Sequence, residues 1–183
     1  MEYNTNREEI SSKRVVYMEY NELYQATLAM LKERGVDLDE IAELVLDLQK
    51  PYLPKLTLED ARDSVDAVLE KREVQNAILT GIYLDIASEK GDVDEPLQSL
   101  LLTDDPLYGV DEILALSIVN IYGSIGLTNF GYLDKEKPGV IDKINKEKGG
   151  KVNTFLDDLI CAIAASSASR IAHRARDGEF DRD

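Results

Sequence analysis

Between Leu107 and Asp158 the chain reads LYGVDEILALSIVNIYGSIGLTNFGYLDKEKPGVIDKINKEKGGKVNTFLDD, its least charged stretch. Acids stand at the edges of its apolar runs. Asp111 and Glu112 open one run, Asp134 closes it, and Asp157 with Asp158 open the next. Two uses compete for such acids. In a first helical turn a carboxylate meets the positive end of the helix dipole, for about 0.3–1 kcal/mol. Gathered in one place, carboxylates make an all-oxygen site suited to Mg²⁺ or Mn²⁺. Asp134 fits capping least, because it falls where a helix should end; Lys135 and Lys137 can compensate it there. Asn120, inside the apolar run, reads as a buried hydrogen-bonding residue or as part of the same site.

Geometry separates the two uses. On one straight helix Asp111 and Asp134 would stand about 35 Å apart, at ~1.5 Å per residue. A reversal near Gly123 to Gly126 would instead bring Asp111, Glu112 and Asp134 to one end of two antiparallel helices. A loop over residues 135–150 would then return the chain, so that Asp157 and Asp158 join the same rim beside Lys137.

The rest of the chain is patterned for helices. Leu23, Ala26, Leu28 and Leu31 follow Asn21 and stop at Gly35; Asp37 with Glu40 has a capping-box layout ahead of Ile41, Leu44, Val45 and Leu48. Thr57 heads a stretch to Gly91 that is one long helix or two abutting near Arg72 and Glu73, and Pro96 opens a short helix. The last helix, from Asn153 or Thr154 to about Arg174, has only Ala, Ser and Ile from Ala162 to Ser169. Side chains that small let neighbouring backbones approach, which predicts a central position. No segment alternates long enough for a strand. The expected architecture is all-α, one compact domain of six or seven helices, with a partly ordered arm over residues 1–18 and a fraying tail over 175–183.

Several chemistries are excluded. The net charge of -15 speaks against nucleic acid. The single cysteine, Cys161, forms no intramolecular disulfide or multi-Cys zinc site, and on an apolar helix face it reads as an inert thiol. One histidine, His173, sits near a helix end where a cation complements the dipole, so no charge-relay triad has its base. GSIGLTNFG lacks the Lys-Ser/Thr ending of a phosphate-cradling loop. The N-terminus has no signal-peptide pattern, and Val110 to Leu133 is broken by Asp111, Glu112 and several amides and hydroxyls, which reads as a buried core helix and not an integral membrane segment. The location expected is cytoplasmic.

The ordered series Asp111-Glu112, Asp134 with Lys137-Pro138, Gly149-Gly150 and Asp157-Asp158, preceded by Gly81-Ile82-Tyr83-Leu84, resembles the phosphatidylglycerophosphatase A family, and more closely its small soluble Gram-positive relatives. The match covers roughly residues 78 to 173. The Gly-, Ser- and Pro-rich N-terminal loop of the membrane-bound members has no counterpart, and residues 20 to 75 are charged amphipathic helices instead. The resemblance implies a Mg²⁺-dependent phosphatase acting on phosphatidylglycerophosphate in phospholipid synthesis, on an all-helical fold. Asp111, Glu112, Asp134, Asp157 and Asp158 would be metal ligands or water activators, with Asp157 or Asp158 as general base, and Lys137 would meet the phosphate. The expected partner is a phosphate ester or phospholipid headgroup, and self-association is expected through the added helices of residues 20 to 75. The alternative is a non-catalytic helical ligand-binding or interaction protein that keeps the family fold.

Overall fold

The structure is a computed structural model that describes residues 20–147 and 150–180. The expected N-terminal arm therefore lies outside the described residues. Nine α-helices occur among them, with no strand: α1 (Tyr20–Glu33), α2 (Leu38–Gln49), α3 (Leu58–Leu69), α4 (Arg72–Lys90), α5 (Leu97–Thr103), α6 (Val110–Val119), α7 (Gly123–Glu136), α8 (Val140–Asn145) and α9 (Leu156–Arg176), with a 3-10 turn at Asn120–Tyr122 between α6 and α7. The all-α reading holds, with more and shorter helices than the patterning suggested. Lys71 is extended (φ -76, ψ 128) and splits the stretch after Thr57 into α3 and α4, while α8 occupies the expected loop.

The expected box of Asp37 with Glu40 is present, and Thr57, expected only to head its stretch, forms a second one with Asp60. Each satisfies N–H groups that the first helical turn leaves unpaired. Gly91 ends α4 in the left-handed region at φ 71, where a residue without Cβ is unstrained.

Helix α9 is the centre of the molecule. Every residue from Leu156 to Ser169 is buried, and α2, α3, α4, α6, α7 and α8 all pack on it. The small side chains permit this closeness, and two of the run's three serines bond to backbone, while buried Ser166 Oγ has no partner among the described residues. Ser167 donates to Ile163 O at 2.8 Å, Ser169 donates to Tyr122 O at 2.8 Å, and Ser64 of α3 donates to Ser167 O at 3.0 Å. At Gly81 of α4 the approach is so close that a Cβ would stand 2.9 Å from Phe155 Cβ and 2.8 Å from Leu159 Cδ1.

The start of α9 is held from outside. No side chain at its N-cap, Phe155, accepts from the first turn, and Thr154 donates to Leu101 O instead of capping. The acceptor is Asp85 of α4, fully buried. Its carboxylate takes Phe155 N–H at 3.1 and 3.3 Å and Leu156 N–H at 3.1 Å. Just upstream, buried Arg34 at the end of α1 donates to Glu89 Oε1, Val152 O and Asn153 Oδ1, each at 2.7 Å. Glu89 also accepts Val152 N–H at 2.7 Å. On their inner sides the helices built from residues 20 to 75 thus cover α9 and anchor its approach.

The apolar stretch Val110–Glu136 corrects one expectation. It is long and apolar enough to cross a membrane by composition, yet only 33% of its most apolar window is buried, so it is not simply a core helix. The backbone breaks at Tyr122 and Gly123 (φ 69, ψ -159), leaving helices of 10 and 14 residues. At ~1.5 Å per residue each arm is shorter than the ~30 Å hydrocarbon core. Only the inner sides of α6 and α7 meet α9, so their outer sides face solvent. Asn120 lies on that exposed outside, neither buried nor near the acids.

Two outcomes follow from this packing. Gly81→Ala should destabilise the fold by about 1–3 kcal/mol through overpacking against Phe155, offset by up to ~1 kcal/mol of helix propensity; urea unfolding measures the net loss, and an unchanged midpoint would refute the close approach. Burial pushes the Asp85 carboxyl up to about 8, against the bonds from Phe155 and Leu156 and the charge of Arg34. An unfolded aspartate titrates near ~3.9. Between those values the native state holds the extra proton, so stability from this group falls as pH rises through the window. The stability of wild type relative to Asp85→Asn should decline over that range, and parallel pH profiles would contradict it.

Candidate metal centre

Three chain segments bring acids together at one end of the bundle. Helix α6 starts after Gly109, which is left-handed at φ 65, and puts Asp111 and Glu112 in its first turn. Asp111 is buried and its Oδ1 accepts the N–H of Glu112 at 3.0 Å. Helix α9 contributes Asp157 and Asp158, both buried, in a first turn that Asp85 fixes. Asp157 Oδ1 accepts Asp158 N–H at 2.9 Å. Capping and ligand geometry therefore coexist, because an acid in a first turn satisfies a local N–H and still points a second oxygen outward.

Asp111, Glu112 and Asp158 form the tightest group. One carboxylate oxygen from each lies within 4.8 Å of the others. Asp157 turns toward Lys137, whose Nζ donates to its Oδ2 at 2.6 Å. The same Nζ lies 3.6 Å from Asp134 Oδ1. Lys137 can reach both because it ends α7 in the left-handed region (φ 43), where its N–H also closes on Leu133 O at 2.8 Å. The five acids expected at one rim are thus arranged as three in a group and two on a lysine. Asp134, the residue capping explained least, has an (i, i+3) partner that accounts for its place at a helix end.

The electrostatics are strained toward negative charge. Burial first, then the charges of Asp157, Asp134 and Asp111, push the Asp158 carboxyl up to about 9, with Lys137 opposing. Glu112 is raised by its hydrogen bond with Asp111 and by burial. Asp157 is raised by burial although Lys137 works against the shift. Burial alone would depress Lys137, but its bond to Asp157 and the surrounding acids hold it above the ordinary lysine value. Beneath them lies Cys161, whose thiol is raised by burial and by the acids above it. All donors of the group are hard carboxylate oxygens, the ligand set of divalent cations such as Mg²⁺, Mn²⁺ or Ca²⁺.

Three neighbouring residues escaped the sequence reading. Asp104, which ends α5 in the left-handed region at φ 49, raises Asp157 by its charge. Asp85 had a signal available: with Ile78 and Ile82 it falls on one buried helix face, and an aspartate on an apolar stripe needs a buried partner. Arg34 had none, because its partners lie 55 to 119 residues away.

Known proteins resemble this chain over most of its length. The uncharacterized protein YutG of Bacillus subtilis is 55% identical over 161 residues, spanning 88% of this chain and 97% of YutG. The crystal structure of protein YpjQ from Bacillus subtilis superposes with a TM-score of 0.84 at 51% identity, covering 87% of this chain and 99% of that one. The low temperature requirement C protein from Listeria monocytogenes gives 0.83 at 56% identity, covering 86% and 99%. The phosphatidylglycerophosphatase A family matches residues 27–173, which takes in every acid described above as well as Asp85 and Lys137. The chain belongs to the phosphatidylglycerophosphatase A family.

Proposed function

We propose that the protein is a Mg²⁺-dependent phosphomonoester hydrolase acting on phosphatidylglycerophosphate or a related phospholipid headgroup. The observation that carries this reading is the grouping of Asp111, Glu112 and Asp158 with their oxygens within 4.8 Å, inside the matched residues 27–173. Three carboxylates so close repel one another strongly unless protons or a cation intervene. Mn²⁺ suits the same donors.

In this reading Asp111, Glu112 and Asp158 hold the cation. When bound, it supplies Lewis-acid chemistry, drawing charge from the phosphoryl oxygens and easing deprotonation of the attacking water. Asp157 has both oxygens engaged, one by Asp158 N–H and one by Lys137, so its task is to hold the ammonium. Lys137 keeps N–H capacity beyond Asp157 and Asp134 for a phosphate oxygen. Asp158, ionised once the cation replaces its proton, would take the proton of the water as general base through the oxygen not given to the cation. Asp134 steadies Lys137 from the opposite side.

Phosphate release from phosphatidylglycerophosphate and from a water-soluble phosphate monoester, with and without Mg²⁺, tests the reaction. Turnover should require the metal and fall by at least ~100-fold in Asp158→Asn, the scale of a lost acid–base group; metal-independent turnover, or an active variant, would sink the assignment. Stability gives a second check that needs no substrate. The metal-free protein should lose stability as pH rises from about 4 toward 9, because native Asp158 keeps a proton that the unfolded aspartate releases near ~3.9. Saturating Mg²⁺ should flatten that decline by replacing the protons. If thermal melts with and without Mg²⁺ coincide across that range, the acids do not hold the ion.

A further inference from the structure

We propose that two copies of this chain associate through the outer face of the α6–α7 hairpin. From Ile113 to Leu133 the sequence carries no charged residue, in a chain that is 31% charged with a net charge of -15. The hairpin is pressed against α9 on one side only. On the other it exposes Val110, Ile113 (66%) and Ile121 along one arm, with Ile125, Leu127 (48%) and Tyr132 (55%) along the other. Val110, Ile113 and Ser117 follow helical spacing along α6, so they form one continuous stripe, and exposed Ile121 follows in the 3-10 turn.

These side chains together expose on the order of 700 Å² with the neighbouring Ser117 and Thr128, close to the ~800 Å² that each partner covers in a standard interface. The surface is also shaped. A cleft of about 570 Å³ opens beside Ile125 and Thr128, walled by Tyr52, Leu53 and Ala172, and receives side chains projecting from a facing hairpin.

Charge selects the occupant. Helices that lie on membranes carry Lys and Arg to meet anionic headgroups. Here the open end of the hairpin bears Asp111, Glu112 and Asp134 against one exposed lysine, Lys135, with Lys137 engaged by Asp157, so no row of basic residues borders the apolar face. Two strongly acidic chains can approach each other without opposing like charges only across an uncharged face. A two-fold arrangement of hairpin on hairpin meets that condition and leaves no apolar stripe exposed. This inference is independent of the phosphatase reading.

Sedimentation of the full chain at micromolar concentration should give the dimer mass, and Leu127→Glu and Ile113→Glu, both at exposed positions, should shift it to monomer while far-UV circular dichroism stays unchanged. Should either variant misfold, hydrogen exchange of the wild type at high and low concentration reads the same surface, and protection gained on concentration should fall within 110–132 and at the cleft wall of Tyr52, Leu53 and Ala172. A monomeric wild type overturns the proposal, as does a dimer that survives both folded variants or gains protection elsewhere. Co-flotation of a monomeric wild type with phosphatidylcholine vesicles would assign the face to lipid and overturn it too.

Discussion

The structure depends on enclosing α9, a helix buried along nearly its whole length. Such a helix cannot use water to satisfy its first N–H groups, and unpaired buried donors cost about 1–3 kcal/mol each. Asp85 supplies the acceptor from α4. That single carboxylate closes the helix terminus, and its oxygens also set where the α9 backbone begins. Every acid that α9 offers to the surface inherits its position from this contact.

A chain of consequences runs from there to the candidate metal centre. Small residues at Gly81 and from Ala162 to Ser169 let α4, α6 and α7 close on α9. Closure puts the first turn of α6 beside the first turn of α9, so Asp111, Glu112 and Asp158 share one space. Arg34, through Glu89, Val152 and Asn153, pins the segment leading into α9 from the opposite side. The N-terminal helices, which read as additions to the matched acidic series, thereby become part of what holds it. The resulting group has excess negative charge in a poorly solvated place, and that imbalance, not the number of acids, makes it a candidate for holding a cation.

The same packing leaves the outer sides of α6 and α7 uncovered. Six helices are taken up around one central rod and α1 and α5 pack on α4, so no helix among the described residues covers the hairpin on its outer side. An uncharged outer surface on an otherwise acidic molecule is then a consequence of the sequence in this hairpin, and it stands beside the acids without belonging to their chemistry.

Much of this was legible in the linear chain. Helical periodicity, the capping box at Asp37 and the small-residue run toward the C-terminus are local signals, and each acts through neighbours within one or two turns, so α2 and the central α9 could be read directly, while the break between α3 and α4 stays open. The ordered acids also determined the family and which residues compete for a metal. Tertiary structure decided how those acids divide. Whether Asp134 and Asp157 turn to Lys137 or join Asp111, Glu112 and Asp158 depends on the left-handed backbone at Lys137 and on the bend at Gly123. Asp85 and Arg34 gain their meaning only from partners 55 or more residues away. Sequence periodicity reports which side of a helix is apolar, but how much of that side is covered depends on what else the chain brings to it.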